Sequence, residues 1–382
     1  MRHGVLALLL LAAGCAPPAD PPPSPEPPPL TFPDPTDLPF QPDPPPLLTR
    51  WSTGVEIADA GAWAEARAEI QALFAHYVTG PAPTQALAGQ TTLVAADDLV
   101  EVSLDAGLDA TVALFLPSGP GPHPVLLGLN KCGNHTVSID PRLTVTDAWV
   151  PSDCPTDRGG RATSWPVEAV TAAGWAVATI HQNAIVPDSR TEADDALATL
   201  GAGGAVIAWA WGLSRVLDAL SGLDGVDASR VVPVGHSRRG KAALWAAALD
   251  ERFAATIPHQ SGTAGVTMSR SHGGESVASL TTIFPHWFAP RFAEFGGNEG
   301  ALPIDQHHLL ALVAPRPLLA TDGEDDSWAD PPGAAWSVEL ATPAWELLGA
   351  SSRPVQILRP GDHSLDASDW AIWLDWLADE GI

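Results

Sequence analysis

Residues 230–253, RVVPVGHSRRGKAALWAAALDERF, leave little freedom of local structure. The β-branched run RVVPVG reads as a buried strand, and KAALWAAALDERF reads as a helix. Almost nothing separates them. A strand that turns directly into a helix sends that helix back over the face of its own sheet, so the next strand lies parallel. The turn holds Ser237, between Gly235 and Gly240. Gly235 suits a turn too tight for a Cβ, and the helix that follows aims free N–H groups and the positive end of its dipole at the turn. A hydroxyl so placed suits a nucleophile with an oxyanion site beside it, although a serine also serves as a plain helix cap. The usual signature of such a turn in an α/β-hydrolase is G-x-S-x-G. Here Arg239 stands where the second glycine belongs, and Gly240 arrives one residue late.

The rest of the chain from residue 48 has the same texture. AGAWAEARAEIQALFAHYV has helical spacing, and TTLVAADDLVEVSLDAGLDATVALFLPS reads as antiparallel strands. HPVLLGLN, AATIPHQS, RPLLATDGE and RPVQILRPGDH read as further short strands, GAVIAWAWGLSRVLDALSGL as an apolar helix and DASDWAIWLDWLADEGI as an amphipathic C-terminal helix. Strands alternating with helices predict a mostly parallel sheet with helices on both faces. At 382 residues the chain is long enough for one large domain of this kind.

A nucleophilic serine needs a base, and the base needs an orienting acid. In α/β-hydrolases they follow the serine in the order acid, histidine, each at a strand end. His363 follows PVQIL in the loop RPGDHSLD and holds the position of the base. His236, His286, His307 and His308 compete less well. The acid belongs after PLLA, in TDGEDDSWADP, where Asp322, Glu324, Asp325, Asp326 and Asp330 are all available. Spacing alone does not choose among them.

The N-terminus, MRHGVLALLLLAAGC, has a basic start and an apolar run too short to span a bilayer, which suits a signal peptide. LAAGC resembles a bacterial lipobox, with Ala12 at the position usually held by leucine, and implies lipidation of Cys15; an incidental cysteine after an ordinary signal peptide is the alternative. The proline-rich residues 16–47 favour an extended spacer of up to roughly 100 Å, leaving 48–382 as the catalytic domain. An exported chain admits a Cys132–Cys154 disulfide, or two separate thiols. A formal charge of −26 argues against nucleic acid and anionic lipid as partners, so the only membrane contact expected is the anchor, in a bacterial envelope.

GHSRRGK resembles the G-x-S-R-x-G-K signature of the glucuronoyl esterases, carbohydrate esterase family 15. The likeness extends through SGTAG, FPHWF, LPIDQHHLLALVAPRPLL, DSWADPPG and GDHSLDASDW, over roughly residues 60–380, and is nearer the bacterial branch. The resemblance implies an α/β-hydrolase fold and hydrolysis of esters between (4-O-methyl)glucuronic acid side groups of xylan and lignin alcohols, with no cofactor and no metal; a monomer is expected. It implies Ser237 as nucleophile, His363 as base, Arg238 as an oxyanion-stabilising side chain, Lys241 and Glu275 as sugar contacts and Trp328 at the pocket rim. Many members carry the triad acid just before SG, where this chain has Gln260, an amide. A second acid position in the family, D-x-W, falls on Asp326, and the acid is expected there with Gln260 as a hydrogen-bonding remnant. Two other readings fit the same residues: an esterase of this fold for acetyl or other uronoyl esters, and a surface lipoprotein that binds plant-wall carbohydrate without cleaving it.

Overall fold

The computed structural model describes residue 1, residues 30–107 and residues 110–382. The signal segment, Cys15 and the first half of the proline-rich stretch lie outside the described residues. From Phe32 to Ile382 the chain forms a single compact unit.

Its centre is a nine-stranded sheet in the order β1-β2-β3-β5-β4-β6-β7-β8-β9. The first three strands, β1 (Gly89–Ala95), β2 (Leu99–Asp105) and β3 (Ala110–Phe115), form an antiparallel edge. Then follow β4 (His123–Asn130), β5 (Ala176–His181), β6 (Val226–His236), β7 (Ile257–His259), β8 (Leu318–Gly323) and β9 (Pro354–Arg359). From β5 onward across the sheet every pairing is parallel. The fold is that of an α/β-hydrolase, as the alternation of strands and helices predicts. After β4 the chain steps outward to β5 and then returns to the other side at β6. Ligand crevices in open sheets form at such reversals, outside the carboxyl ends of the strands. Ser237 follows the last residue of β6.

The period of two along a strand divides the core. Val125, Leu127 and Leu129 of β4 and Ala176, Ala178 and Ile180 of β5 face a large apolar layer. That layer is built from α1 (Ala60–Phe74), α4 (Ala205–Leu220), α5 (Arg238–Leu249), α7 (Gln306–Ala311) and α8 (Pro331–Leu347). The alternate residues Leu126, Val177 and Val232 face a smaller layer under α2 (Val167–Ala172) and α9 (Ala367–Glu380). Much of the tryptophan fills these layers: Trp165, Trp370, Trp373 and Trp376 pack in the smaller one, Trp209, Trp245 and Trp345 in the larger. α4 is buried almost all round, which explains why it is apolar all round.

The spacer expected over residues 16–47 differs from the structure in its second half. The Phe32 ring packs on Trp51, His76 and Tyr77, and Tyr77 donates its hydroxyl to the Pro33 carbonyl at 2.9 Å. Gln41 N–H bonds the Gly300 carbonyl at 2.8 Å, the Pro45 carbonyl pairs with His307 Nε2 at 2.9 Å, and Leu47 is buried. Residues 32–47 are thus an arm laid on the domain. Proline favours this as readily as a free spacer, because a chain already extended loses little entropy on docking. A chain beginning at Leu48 is expected to melt roughly 1.5–3 °C below one beginning at Phe32, equivalent to about 1–2 kcal/mol in a domain of this size, by differential scanning calorimetry.

Candidate active site

Ser237 sits between β6 and α5 with φ 59° and ψ −129°, a conformation a residue with a side chain holds only under strain of order 1–3 kcal/mol. Two close approaches impose it. A Cβ on Gly235 would lie 2.4 Å from the Arg239 carbonyl oxygen, and one on Gly240 would lie 2.6 Å from the Gly235 oxygen and 2.9 Å from that of His259. Strand end and helix start therefore meet backbone to backbone at Gly235 and Gly240, and the late glycine is the one this contact requires. Position 239 is not pinched and carries a long side chain.

His363 lies in the loop after β9, beside Ser237 on the wall of a cavity of about 290 Å³. Its Nδ1 is 2.7 Å from Asp326 Oδ2. Asp326 is buried, and its Oδ1 accepts the backbone N–H groups of Trp328 (3.0 Å) and Ala329 (2.9 Å). Burial alone would raise its pKa; the bonds from His363, Ala329 and Trp328 outweigh burial and hold it below the ordinary carboxylate value. The structure thereby sorts the five acids of this loop. Glu324 and Asp325 are exposed, Asp330 caps α8 through the Gly333 N–H, and Asp322 is buried against the Gln356 amide. The competing histidines have other partners: His307 holds the arm, His308 pairs with the Asp305 N–H, and His286 bonds Asp188. The His236 ring stacks 4.5 Å from that of His363.

The His363 loop is gripped from below. Arg359 donates to the carbonyls of Pro360, Asp362 and Ser364 and to Asp369, and His259 Nε2 is 2.8 Å from the Ser364 carbonyl. Gln260 donates Nε2 to the Asp362 carbonyl at 2.7 Å. The amide therefore ties down the residue before His363.

Ser237, Arg238, Lys241, Glu275, Trp328 and His363 line the same cavity. Trp328 is exposed at its rim. Lys241 and Glu275 form a buried ion pair, and the ammonium also donates to the carbonyls of Ser261 (2.6 Å) and Thr263 (2.7 Å). Its three protons are all engaged within the protein, so Glu275 is the more available of the two to a ligand. Among the described residues no cluster of three or more His, Cys, Asp or Glu side chains converges as a metal site requires.

Asp188 was not foreseen from the sequence. It follows β5 in the loop HQNAIVPD, and its side chain is almost wholly buried. Its Oδ2 takes Arg238 Nη1 at 2.6 Å, while Oδ1 takes Trp287 Nε1 (2.7 Å) and His286 Nε2 (3.0 Å). Burial would raise its pKa, but His286, Arg238 and Trp287 together hold it far below the usual carboxylate range. Arg238 also lies over the rings of Trp287 (4.5 Å) and Phe284 (4.9 Å). Fifty residues of separation hide this clamp from any local motif. Cys132 and Cys154 form a disulfide.

A family model described as glucuronyl esterase, fungi, matches residues 162–349. The carbohydrate esterase MZ0003, from an unknown prokaryotic organism, is 34% identical over 85% of this chain and 86% of its own. A solved glucuronoyl esterase from Solibacter usitatus superposes with a TM-score of 0.77 at 32% identity, covering 89% of this chain and 98% of that one. The chain belongs to the glucuronoyl esterase family. A 4-O-methyl-glucuronoyl methylesterase of Podospora anserina is 28% identical over 78% of this chain and 59% of its own length.

Asp322 gives this esterase-family site a pH signature. Burial, with Asp326 and Asp330 nearby, raises its carboxyl to about 7. Between about pH 4 and 7 the folded state then keeps a proton that the unfolded chain has released, so this group's contribution to stability falls as pH rises through that window. Asp322→Asn removes the titration. The stability of the variant relative to the parent should rise by roughly 2–3 kcal/mol between pH 5 and pH 8 in urea unfolding.

Proposed function

We propose that the chain is a serine esterase that cleaves esters between (4-O-methyl)glucuronic acid side groups of xylan and lignin alcohols, as a bacterial member of its family. The observation that carries this reading is the His363–Asp326 pair on the same cavity as Ser237, with Glu275, Lys241 and Trp328 around it. In this reading Ser237 Oγ attacks the uronoyl carbonyl while His363 Nε2 takes its proton. Asp326 holds the Nδ1 proton and stabilises the imidazolium. The oxyanion is stabilised by Arg238 and by N–H groups at the start of α5. His363 gives its proton to the departing alcohol, then activates a water that releases glucuronate and restores the serine. Asp188 keeps Arg238 aimed and charged without touching substrate. The amino-terminal segment supports export, with Cys15 as the lipid anchor, residues 16–31 as spacer and a monomeric catalytic domain at the outer end.

Hydrolysis of benzyl glucuronate tests the reading. Ser237→Ala is expected to lower kcat by at least about 10⁴-fold, and Asp326→Asn by about 10³–10⁴-fold, with binding retained. Substantial turnover by Ser237→Ala, or full turnover by Asp326→Asn alongside a dead Asp325→Asn, contradicts it. Asp188→Asn should reduce kcat on the order of 10-fold, with KM within twofold and an unaltered circular dichroism spectrum. A rise in KM at constant kcat would instead make Asp188 a substrate contact.

A further inference from the structure

A second cavity, of about 280 Å³, adjoins the nucleophile turn on its other side. His236, one residue before Ser237, and Arg239, two residues after it, both line it, together with Lys131, Asp153, Arg161 and Trp165. The two cavities lie on different sides of the nucleophile turn. The first is walled by the start of α5 and by loops following β7, β8 and β9, whereas the second is walled by the ends of β4 and β6, the loop after β4 and, from the far side, Leu365 and the α9 residues Trp370 and Trp373. No residue is common to both.

The charge of this second cavity is anomalous. A chain of formal charge −26 places Lys131, Arg161 and Arg239 around it against the single carboxylate of Asp153. Asp153 is already paired with Lys131. Arg161 donates Nη2 to the Asp153 carbonyl at 3.3 Å, while its Nε is buried without a hydrogen-bond partner. Among the described residues, Arg239 makes one side-chain bond, Nη1 to Gln182 Oε1 at 3.1 Å, and no ion pair. Burial, with Arg238 and Arg161 nearby, pulls its pKa down to about 10.

Another half-buried guanidinium gives the scale of that deficit. Among the described residues Arg316 also has no ion pair, and burial lowers it to about 10 as well. Its donors, however, are taken by the carbonyls of Ala247, Asp250, Phe253, Leu312 and Val313. Arg316 is a satisfied structural arginine. Arg239 is half-buried, makes a single side-chain hydrogen bond and lines a space large enough for a ring-sized group, so its remaining N–H donors are free to meet an anion there. The rim is also held covalently: the disulfide joins Cys132, next to Lys131, to Cys154, next to Asp153.

We propose that this cavity binds the alcohol half of the ester and selects alcohols that carry a carboxylate. The inference rests on the esterase reading above. In that reading the sugar occupies the first cavity, and its own carboxyl is esterified and uncharged. The anion that Arg239 and Arg161 await therefore belongs to the other side of the ester bond. Arg239 occupies the unspecified position of G-x-S-R-x-G-K, so the preference is a property of this chain rather than of the shared motif.

The test compares kcat/KM for 4-carboxybenzyl glucuronate and benzyl glucuronate at low ionic strength. Long-range repulsion from the acidic surface favours the neutral ester, so a preference for the charged one needs a local cause. We expect the charged ester to be favoured about 10-fold, and the ratio to fall to one or below in Arg239→Leu and in Arg161→Gln. A ratio near one in the parent, or one that survives both substitutions, overturns the proposal. A binding arm needs no turnover: calorimetric titration of Ser237→Ala with 4-(hydroxymethyl)benzoate should show saturable binding that benzyl alcohol lacks and that Arg239→Leu abolishes. Absence of that binding, or equal binding of free glucuronate at the same arginine, also overturns it. Hydrolysis of both esters at equal rates sinks the subsite and leaves the esterase reading standing. Binding without hydrolysis of either ester does the reverse.

Discussion

Everything reactive in this molecule depends on the contact between the end of β6 and the first turn of α5. Gly235 and Gly240 let the two backbones meet, and Ser237 is left on the outside of the bend at positive φ. The same contact fixes the azimuth of the helix. Successive residues on a helix diverge by about 100°, so the three cations at its start fan apart. Arg238 reaches Asp188 and the first cavity, Arg239 reaches the cavity on the β4 side, and Lys241 turns inward to Glu275. One turn of helix thus distributes charge to three places around one hydroxyl. Loosening the glycine contact would move all of them together.

Buried charge elsewhere serves the same few loops. Arg359 with Asp369 secures the loop that carries His363, and Arg270 with Asp305 ties residues 269–270 to the start of α7. Replacing such pairs by apolar groups is often harmless to stability, whereas removing one partner is not. Their value here lies in direction. A guanidinium that holds several carbonyls of one short loop fixes its path where the loop has few apolar side chains of its own to bury.

The sheet, the order of its helices and the turn at Ser237 were legible because they follow from local periodicity and from glycine, which act over a few residues. His363 was legible for the same reason, as a polar residue just past a strand. Spacing alone did not single out Asp326 among the five acids of its loop; the D-x-W resemblance pointed to it, and burial with the His363 bond sets it apart in the fold. Asp188 carried no signal at all. Its importance comes from Arg238, His286 and Trp287, which the fold brings to it from far along the chain. The docked arm was hidden in another way, because proline-rich sequence looks alike whether it lies on a surface or spans solvent. Gln260, read from the sequence as a hydrogen-bonding remnant at the acid position, donates its amide to the Asp362 carbonyl and so bears on His363 through the backbone.

Arg238 and Arg239 are neighbours of like charge, and the residue between their ends explains how they coexist. Gln182 donates Nε2 to Asp188 Oδ2 at 3.2 Å and accepts from Arg239 through Oε1. Asp188 neutralises Arg238, while the amide orients Arg239 without neutralising it. A glutamate at 182 would close an ion pair with Arg239 and set a second carboxylate against Asp188, two changes that would erase the difference between the guanidiniums. A neutral, bifunctional side chain is the one type that can bond an anion on one side and a cation on the other. The two arginines are therefore prepared for different charges: one is balanced in place and meets only charge that develops during reaction, and the other is held open for charge that arrives with a ligand.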